Sequence, residues 1–327
     1  MQAYKIKVEH DRTTVELHDA PQPVPKANQV LVRVHAAGLN RGELLPSYHS
    51  QGQSAAVLKP AGNEAAGEIV ALGVDVKGLN PGDRVMGRAI GAFAPYALMG
   101  MHEVMPMPDN LSWEEAAAIP LTYTVVYDML VAQGRILPDE WLLVIGISSG
   151  VGVAALQMAK ALGVNVIGTS GSSTKLARLK QHGLDVGLCT REANFLDAVR
   201  QATNGKGVNL VINAVGGSMF AEGMRALAYE GRFATVGYVD GVTESLFDID
   251  DFHTRRLRMF GSSNKLRGPE QRAGLVTDFI KDIVPMFASG IIKPIIDKVH
   301  PFAQLETAKA EMESNNHVGK IVLAVDH

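Results

Sequence analysis

Cysteine is almost missing from this chain of 327 residues: Cys189 stands alone. No intramolecular disulfide can form, and a cysteine-rich zinc lobe is excluded. No apolar run approaches the ~18–20 residues that a membrane-spanning helix needs. The opening Met1-Gln-Ala-Tyr-Lys-Ile-Lys7 carries no apolar signal region. Neither sign of charge dominates. The formal net charge is −3 at pH 7, which gives no push toward nucleic acid or an anionic membrane. Internal repeats and low-complexity tracts are absent as well. These absences leave a cytoplasmic globular protein as the expectation, with small molecules as partners and no nucleic acid or membrane.

What is present is ample core material. The hydrophobic fraction is 46%, and the length favours two domains. The first third reads as β-rich. Gln29–Gly38 alternates apolar and polar residues, Gly67–Gly73 and Asp83–Gly87 are short strands, and Asn80-Pro-Gly-Asp83 is a turn. The pattern changes near Ser112, whose hydroxyl can cap a helix that has Glu114 and Glu115 in its first turn. Strands and helices then alternate. Strands are expected at 142–145, 165–169, 186–189, 208–214, 231–236 and 258–261, and helices at 151–162, 174–182, 195–203 and 219–227. Repeated βα units imply a doubly wound parallel sheet. After Arg267 the sequence reads as one helix to about Ser289, an extended stretch over 291–299, a helix over 304–313 and a strand over 320–325.

The most informative stretch is Trp141-Leu-Leu-Val-Ile-Gly-Ile-Ser-Ser-Gly-Val-Gly152. It reads as a buried strand, a turn of small residues and a helix start, which is the form of a dinucleotide phosphate grip. In the spacing G-x-G-x-x-G, Ile147, Ser149 and Gly152 take the three glycine positions. An ordinary turn of small residues would look similar, but the βα units that follow favour the cofactor. Ser149, Gly150 and Val151 are the expected phosphate contacts, and the Ser149 hydroxyl either crowds the phosphate or donates to it. The second strand ends in Ser170-Gly171-Ser-Ser-Thr-Lys175, with no acid to hold ribose hydroxyls. Ser170, Gly171 and Lys175, with Arg178 a turn later, suit a 2′-phosphate instead. NADPH is therefore the expected cofactor. Cys189, at a strand end in the same region, reads as a buried structural thiol rather than a nucleophile. Met99, Met101, Met105 and Met107 read as packing along a strand.

With the β-rich first third added, the chain resembles the medium-chain dehydrogenase/reductase superfamily, and within it the zinc-independent quinone oxidoreductase branch. The match rests on Ala37-Gly-Leu-Asn40, Lys59-Pro-Ala-Gly-Asn-Glu-Ala-Ala-Gly67-Glu-Ile-Val70, Asn80-Pro-Gly-Asp-Arg-Val85, Ser149–Gly163 and His317-Val-Gly-Lys-Ile-Val-Leu323. The resemblance implies a GroES-like catalytic domain built from 1–122 and 264–327, a Rossmann dinucleotide-binding domain over 123–263, and an active site in the cleft. It also implies a homodimer through a sheet edge, for which Arg256–Ser263 is the candidate strand. Asn213-Ala-Val215-Gly-Gly217 and Gly231–Tyr238 match turns beside the nicotinamide, so Val215, Gly237 and Tyr238 join the cofactor site. Thr124 matches a ribose-side threonine. Thr190 replaces a tyrosine, and Asn315 falls near an arginine, that relatives use at the cofactor.

Zinc-dependent relatives carry a Cys where Asn40 stands and a Gly-His-Glu where this chain has Gly62-Asn-Glu64. Neither Asn is a good zinc ligand, and His35 and His49 are isolated, so a metal-free site is expected. Without a Lewis-acid ligand set, hydride transfer to an electron-poor acceptor is favoured over alcohol oxidation, with NADPH as donor. A quinone or α,β-unsaturated carbonyl is the expected acceptor. Asn40 is the candidate for holding the substrate oxygen or the nicotinamide ribose, although an Asn after a glycine also stabilises turns. Tyr48 is the candidate proton donor, with Tyr123 a weaker one. The loops over 46–57 and 246–251 are the expected substrate lining. An enoyl-thioester reductase, or an NADPH-binding protein with a regulatory role and little catalysis, remain the alternatives.

Overall fold

The computed structural model describes residues 1–9, 12–44 and 58–325. The chain divides into two compact units, Met1–Thr124 with Gly268–His327, and Val125–Arg267. In the first unit, β1 (Gln2–Glu9), β2 (Arg12–Asp19), β3 (Gln29–Gly38), helix α1 (Arg41–Leu44), β4 (Lys59–Pro60), β5 (Glu64–Leu72), β6 (Arg84–Ile90) and β7 (Tyr96–Pro106) precede α2 (Trp113–Ala117) and α3 (Pro120–Tyr127). The alternation in β3 works as expected. Val30, Val32, Val34 and Ala36 are sealed in the core, while Arg33 on the other face pairs with Glu68 of β5. Ser112 forms a reciprocal capping box with Glu115. Met99, Met105 and Met107 are buried, which is the packing expected of them.

The second unit holds β8 (Trp141–Ile145), α4 (Gly150–Ala161), β9 (Asn165–Ser170), α5 (Ser173–Lys180), β10 (Val186–Cys189), α6 (Leu196–Ala202), β11 (Val208–Asn213), α7 (Phe220–Arg225), β12 (Leu227–Thr235), α8 (Ile249–Thr254) and β13 (Arg258–Gly261). Its sheet has the order β10-β9-β8-β11-β12-β13, and every pairing is parallel. The order reverses between β8 and β11, which is where such sheets open a crevice for a ligand. Leu143, Ile145, Ile167, Val211 and Phe233 form the core beneath it.

The tail returns to the first unit as α9 (Pro269–Asp282), α10 (Val284–Ala288), β14 (Ile296–Pro301), α11 (Leu305–Glu313) and β15 (Lys320–Ala324). The strand β15 joins the sheet β14-β15-β3-β5-β6-β7, and β3 also pairs with β7. Three expectations need correction. The helix read as continuous to Ser289 is broken at Ile283, because Pro285 lacks the N–H that would continue the ladder. The extended stretch over 291–299 is a strand only from Ile296. Cys189, expected to be buried, is exposed, because β10 is an edge strand and Cys189 its last residue. Among the described residues no helix is long and apolar enough to cross a membrane.

Candidate active site

Parallel register sets the carboxyl ends of the second unit's strands level. Ile145 lies opposite Thr169 and Asn213, and Asn213 lies opposite Thr235. The loops that follow therefore share one edge. After β8, Gly146 takes φ +86°, a conformation that favours glycine. Ser149 caps α4: its Oγ accepts the Gly152 N–H at 3.1 Å and donates to the Gly146 carbonyl at 2.9 Å. A Cβ on Gly152 would overlap the Ile147 backbone, so the helix can start this close only with glycine there. The Ser149 hydroxyl is spent on the cap. The N–H groups of Gly150 and Val151 have no carbonyl partner inside the helix, an arrangement that can hold a phosphate.

At the end of β9, Ser170 is buried, its Oγ 3.4 Å from that of Ser148. Thr190 donates its N–H to the Ser170 carbonyl at 3.0 Å. Its hydroxyl donates to Asn194 Oδ1 at 2.7 Å and accepts the Glu192 N–H at 3.0 Å, so it shapes its own loop. Lys175 lies half-buried in the first turn of α5, which Ser172 caps. Arg191 lies here too, although no local pattern in the sequence marks it. Its guanidinium lies across Gly171, so that any Cβ there would overlap it. Only the pairing of Cys189 with Ser170 reveals this neighbour, 20 residues further along the chain.

The other two loops are knitted together. Asn213 is buried, and its Oδ1 accepts the N–H groups of Val215 and Gly216 at 3.0 and 3.1 Å while Nδ2 donates to the Gly216 carbonyl at 2.8 Å. Asp240 accepts the Ser218 hydroxyl at 2.5 Å and the Val242 N–H at 2.9 Å, and its own N–H reaches the Val215 carbonyl at 3.0 Å. Val215, Gly237 and Tyr238 all sit on this double loop. The 246–251 segment, the expected substrate lining, lines a cavity with Arg200, Met224 and Arg225 of α6 and α7.

In the first unit, Asn40 belongs to a buried charged cluster. Its Nδ2 donates to Glu64 Oε1 at 2.8 Å, and its Oδ1 accepts from Lys320 Nζ at 3.0 Å. Lys320 also donates to Glu64 Oε1 at 2.6 Å and to the Leu39 carbonyl at 2.8 Å. Glu64 Oε2 accepts the Leu121 N–H at 2.8 Å. Nearby Glu43 accepts the Gly62 N–H at 2.5 Å. Burial, with help from the charge of Glu64, pushes the Glu43 carboxyl up to about 7 despite that bond. Thr124 is buried and donates to the Pro120 carbonyl at 2.6 Å, so its hydroxyl serves its own helix. Asn315 takes φ +57° after α11 and receives Arg41 at 2.6 Å. Tyr123 packs edge-on to Phe287 at 5.1 Å, and burial raises its phenol pKa, which makes it a core residue. His35 stacks on Trp113 at 4.4 Å. Tyr48, His49 and the 46–57 loop lie outside the described residues.

These residues do not fit zinc. Asn40 and Asn63 are amides, and the Asn40 oxygen already faces an ammonium that would repel a second cation. No group of three or more His, Cys, Asp or Glu is placed to hold a metal among the described residues. The second unit's edge fits a dinucleotide, with glycine-bounded close approach, free helix N–H groups and two cations at the ribose end.

A β-barrel-bearing unit joined to a doubly wound nucleotide fold defines a two-domain nicotinamide-enzyme class. The profile described as "Alcohol dehydrogenase GroES-like domain" matches residues 26–109, and "Zinc-binding dehydrogenase" matches 150–281. The chain belongs to the medium-chain dehydrogenase/reductase family. It is 31% identical over 297 residues to a fungal protein, "Highly reducing polyketide synthase phiA", and 31% over 307 residues to "Erythronolide synthase EryA2" of Saccharopolyspora erythraea. It spans 90% and 93% of its own length in these matches, but only 11% and 8% of theirs. Among solved structures it is similar over its full length to CurK enoyl reductase, with 25% identity and a TM-score of 0.86 covering 100% of that chain. A mycobacterial protein solved with NADPH, Rv1454c, gives 25% identity and 0.86 over 99% of this chain and 100% of its own.

Proposed function

We propose that this protein reduces the carbon–carbon double bond of an α,β-unsaturated acyl thioester, taking hydride from NADPH. The observation that carries the reading is the full-length likeness to an enoyl reductase, joined to an Asn40 amide fixed on both sides. The quinone acceptor that the sequence favours has weaker support, because the quinone oxidoreductase match, at 24% identity, speaks for fold alone. NADPH is supported by the absence of an acid at the end of β9 and by Arg191 and Lys175 beside it.

Bound NADPH supplies the hydride. The N–H groups of Gly150 and Val151 would hold its pyrophosphate, Arg191 and Lys175 its 2′-phosphate, and the loops carrying Val215 and Gly237 would receive the nicotinamide half. Asn40 has one amide hydrogen on Glu64 and its oxygen on Lys320. Its second amide hydrogen is left to donate to the acyl oxygen as charge develops there. A panel of enoyl thioesters, enones and quinones, each run with NADPH and NADH, tests this. The expected result is the highest kcat/KM for an enoyl thioester with NADPH. A quinone ahead of every thioester contradicts it, and tight NADPH binding with no turnover on any acceptor supports the regulatory alternative instead.

We also infer a homodimer through β13, the exposed sheet edge, where Met259 is 48% exposed. Sedimentation as a monomer contradicts that.

A further inference from the structure

Two side chains order the loops after β11 and β12, and they act over different distances. Asn213 is local. Its amide accepts the N–H groups of Val215 and Gly216 and donates to the Gly216 carbonyl, within three residues of itself. Asp240 belongs to the loop after β12, yet it reaches back 22 positions into the loop after β11. Its Oδ2 accepts the Ser218 N–H at 3.0 Å and the Ser218 hydroxyl at 2.5 Å. Its Oδ1 accepts the Val242 N–H at 2.9 Å. Its own N–H donates to the Val215 carbonyl at 3.0 Å, and the Gly217 N–H closes the joint on the Val242 carbonyl at 2.8 Å.

The backbone leaves room for that carboxylate. Gly216 takes φ +136°, a conformation that favours glycine, and a Cβ there would overlap the Asp240 side chain. Asp240 and Ser218 are both exposed. Hydrogen bonds to a charged acceptor, rather than buried apolar surface, therefore hold this joint.

The joined loops stand on the β11–β12 side of the point where the strand order reverses, while α4, Lys175 and Arg191 follow β8, β9 and β10 on the other. Resting on the cofactor reading above, in which the nicotinamide half lies over these loops, we infer that Asp240 is a positioning residue for that half of the cofactor. It holds the two loops at one spacing, so that Val215 and Gly237 form a single preformed surface for the ring. Without the carboxylate, the Ser218 and Val242 N–H groups turn to water and the loops separate. Only the fraction of molecules with both loops in register then binds the nicotinamide half at full strength, and the apparent affinity falls by that fraction. The adenosine half, held across the switch point, keeps its contacts.

Calorimetric titration of the full chain with NADPH and with 2′,5′-ADP, which lacks the nicotinamide half, tests this. Asp240→Ala should raise the Kd for NADPH about tenfold, as when roughly one molecule in ten keeps the loops in register, and leave the Kd for 2′,5′-ADP within about twofold of the parent. Asp240→Asn keeps one acceptor oxygen and should fall between Asp240→Ala and the parent for NADPH. An unchanged Kd for NADPH in Asp240→Ala overturns the role. An equal loss for both ligands also overturns it, because it shows a general loss of structure in the nucleotide-binding unit. A parent protein that binds neither ligand fails the cofactor reading itself, and the role of Asp240 falls with it.

Discussion

Lys320 and Glu64 are 256 positions apart in sequence and 2.6 Å apart in space. Asn40 could be singled out from its motif, but the ammonium that fixes its amide lies 280 residues away and leaves no local trace. The pair is almost sealed from water, with side-chain exposures of 6% and 0%. Lys320→Met would strand a buried carboxylate, which costs about 3–5 kcal/mol. A large fall in melting temperature should follow, and an unchanged one would show that Glu64 has another source of compensation. Glu43 carries a pH signature. Its carboxyl is raised in the fold from 4.5 to about 7. The native state therefore holds a proton that the unfolded chain releases, and stability falls as pH rises through this interval. Glu43→Gln can still accept from Gly62. It should be more stable than the parent by roughly 3 kcal/mol at pH 8 and equal to it near pH 4, as read by denaturant melts at both values. At the ribose end, Arg191→Ala should cut the NADPH-over-NADH preference in kcat/KM by about tenfold or more, the worth of one charge-assisted contact. An unchanged preference would leave Lys175 as the only cation that matters there.

The βα element from Trp141 to Ala161 was legible almost to the residue, because a buried apolar run, a turn of small residues and a helix each carry a local signal. What the sequence left open at Ser149 was the direction of its hydroxyl, and the cap settles it. Ser149→Ala should cost about 1 kcal/mol in stability and leave the Kd for NADPH within about threefold, because the hydroxyl is engaged in the cap while the Gly150 and Val151 N–H groups are left for a phosphate. A hundredfold loss of NADPH binding in a folded Ser149→Ala protein would return the hydroxyl to the phosphate. Elements that depend on distant neighbours read less well. Cys189 looked buried because its strand did, and nothing local says that β10 is an edge. The helix break at Ile283 is of another kind, since its cause, Pro285, is local, and the apolar period that persists across Ile283 masked it.

At the scale of the whole molecule, texture alone showed a β-rich first third and then alternating βα units, while the GroES-like assignment came from the family resemblance. The strand order was not readable, because it is a property of pairings. That order turns separate candidate residues into one edge: Gly150, Val151, Gly171, Val215, Gly237 and Tyr238 all follow strands whose ends are level. Under the proposed function, the β9–β10 side of this edge would take the adenosine half of the cofactor and the β11–β12 side the nicotinamide half. In the proposed reaction, hydride passes from that cofactor to the β-carbon of an enoyl thioester. Turnover of a short trans-2-enoyl thioester with NADPH deuterated at the transferable C4 position, followed by mass spectrometry of the acyl product, tests it most directly. One deuterium at the β-carbon of a saturated thioester is the expected result. Consumption of the labelled cofactor with no deuterium in the acyl chain, or no saturated product at all, would contradict it.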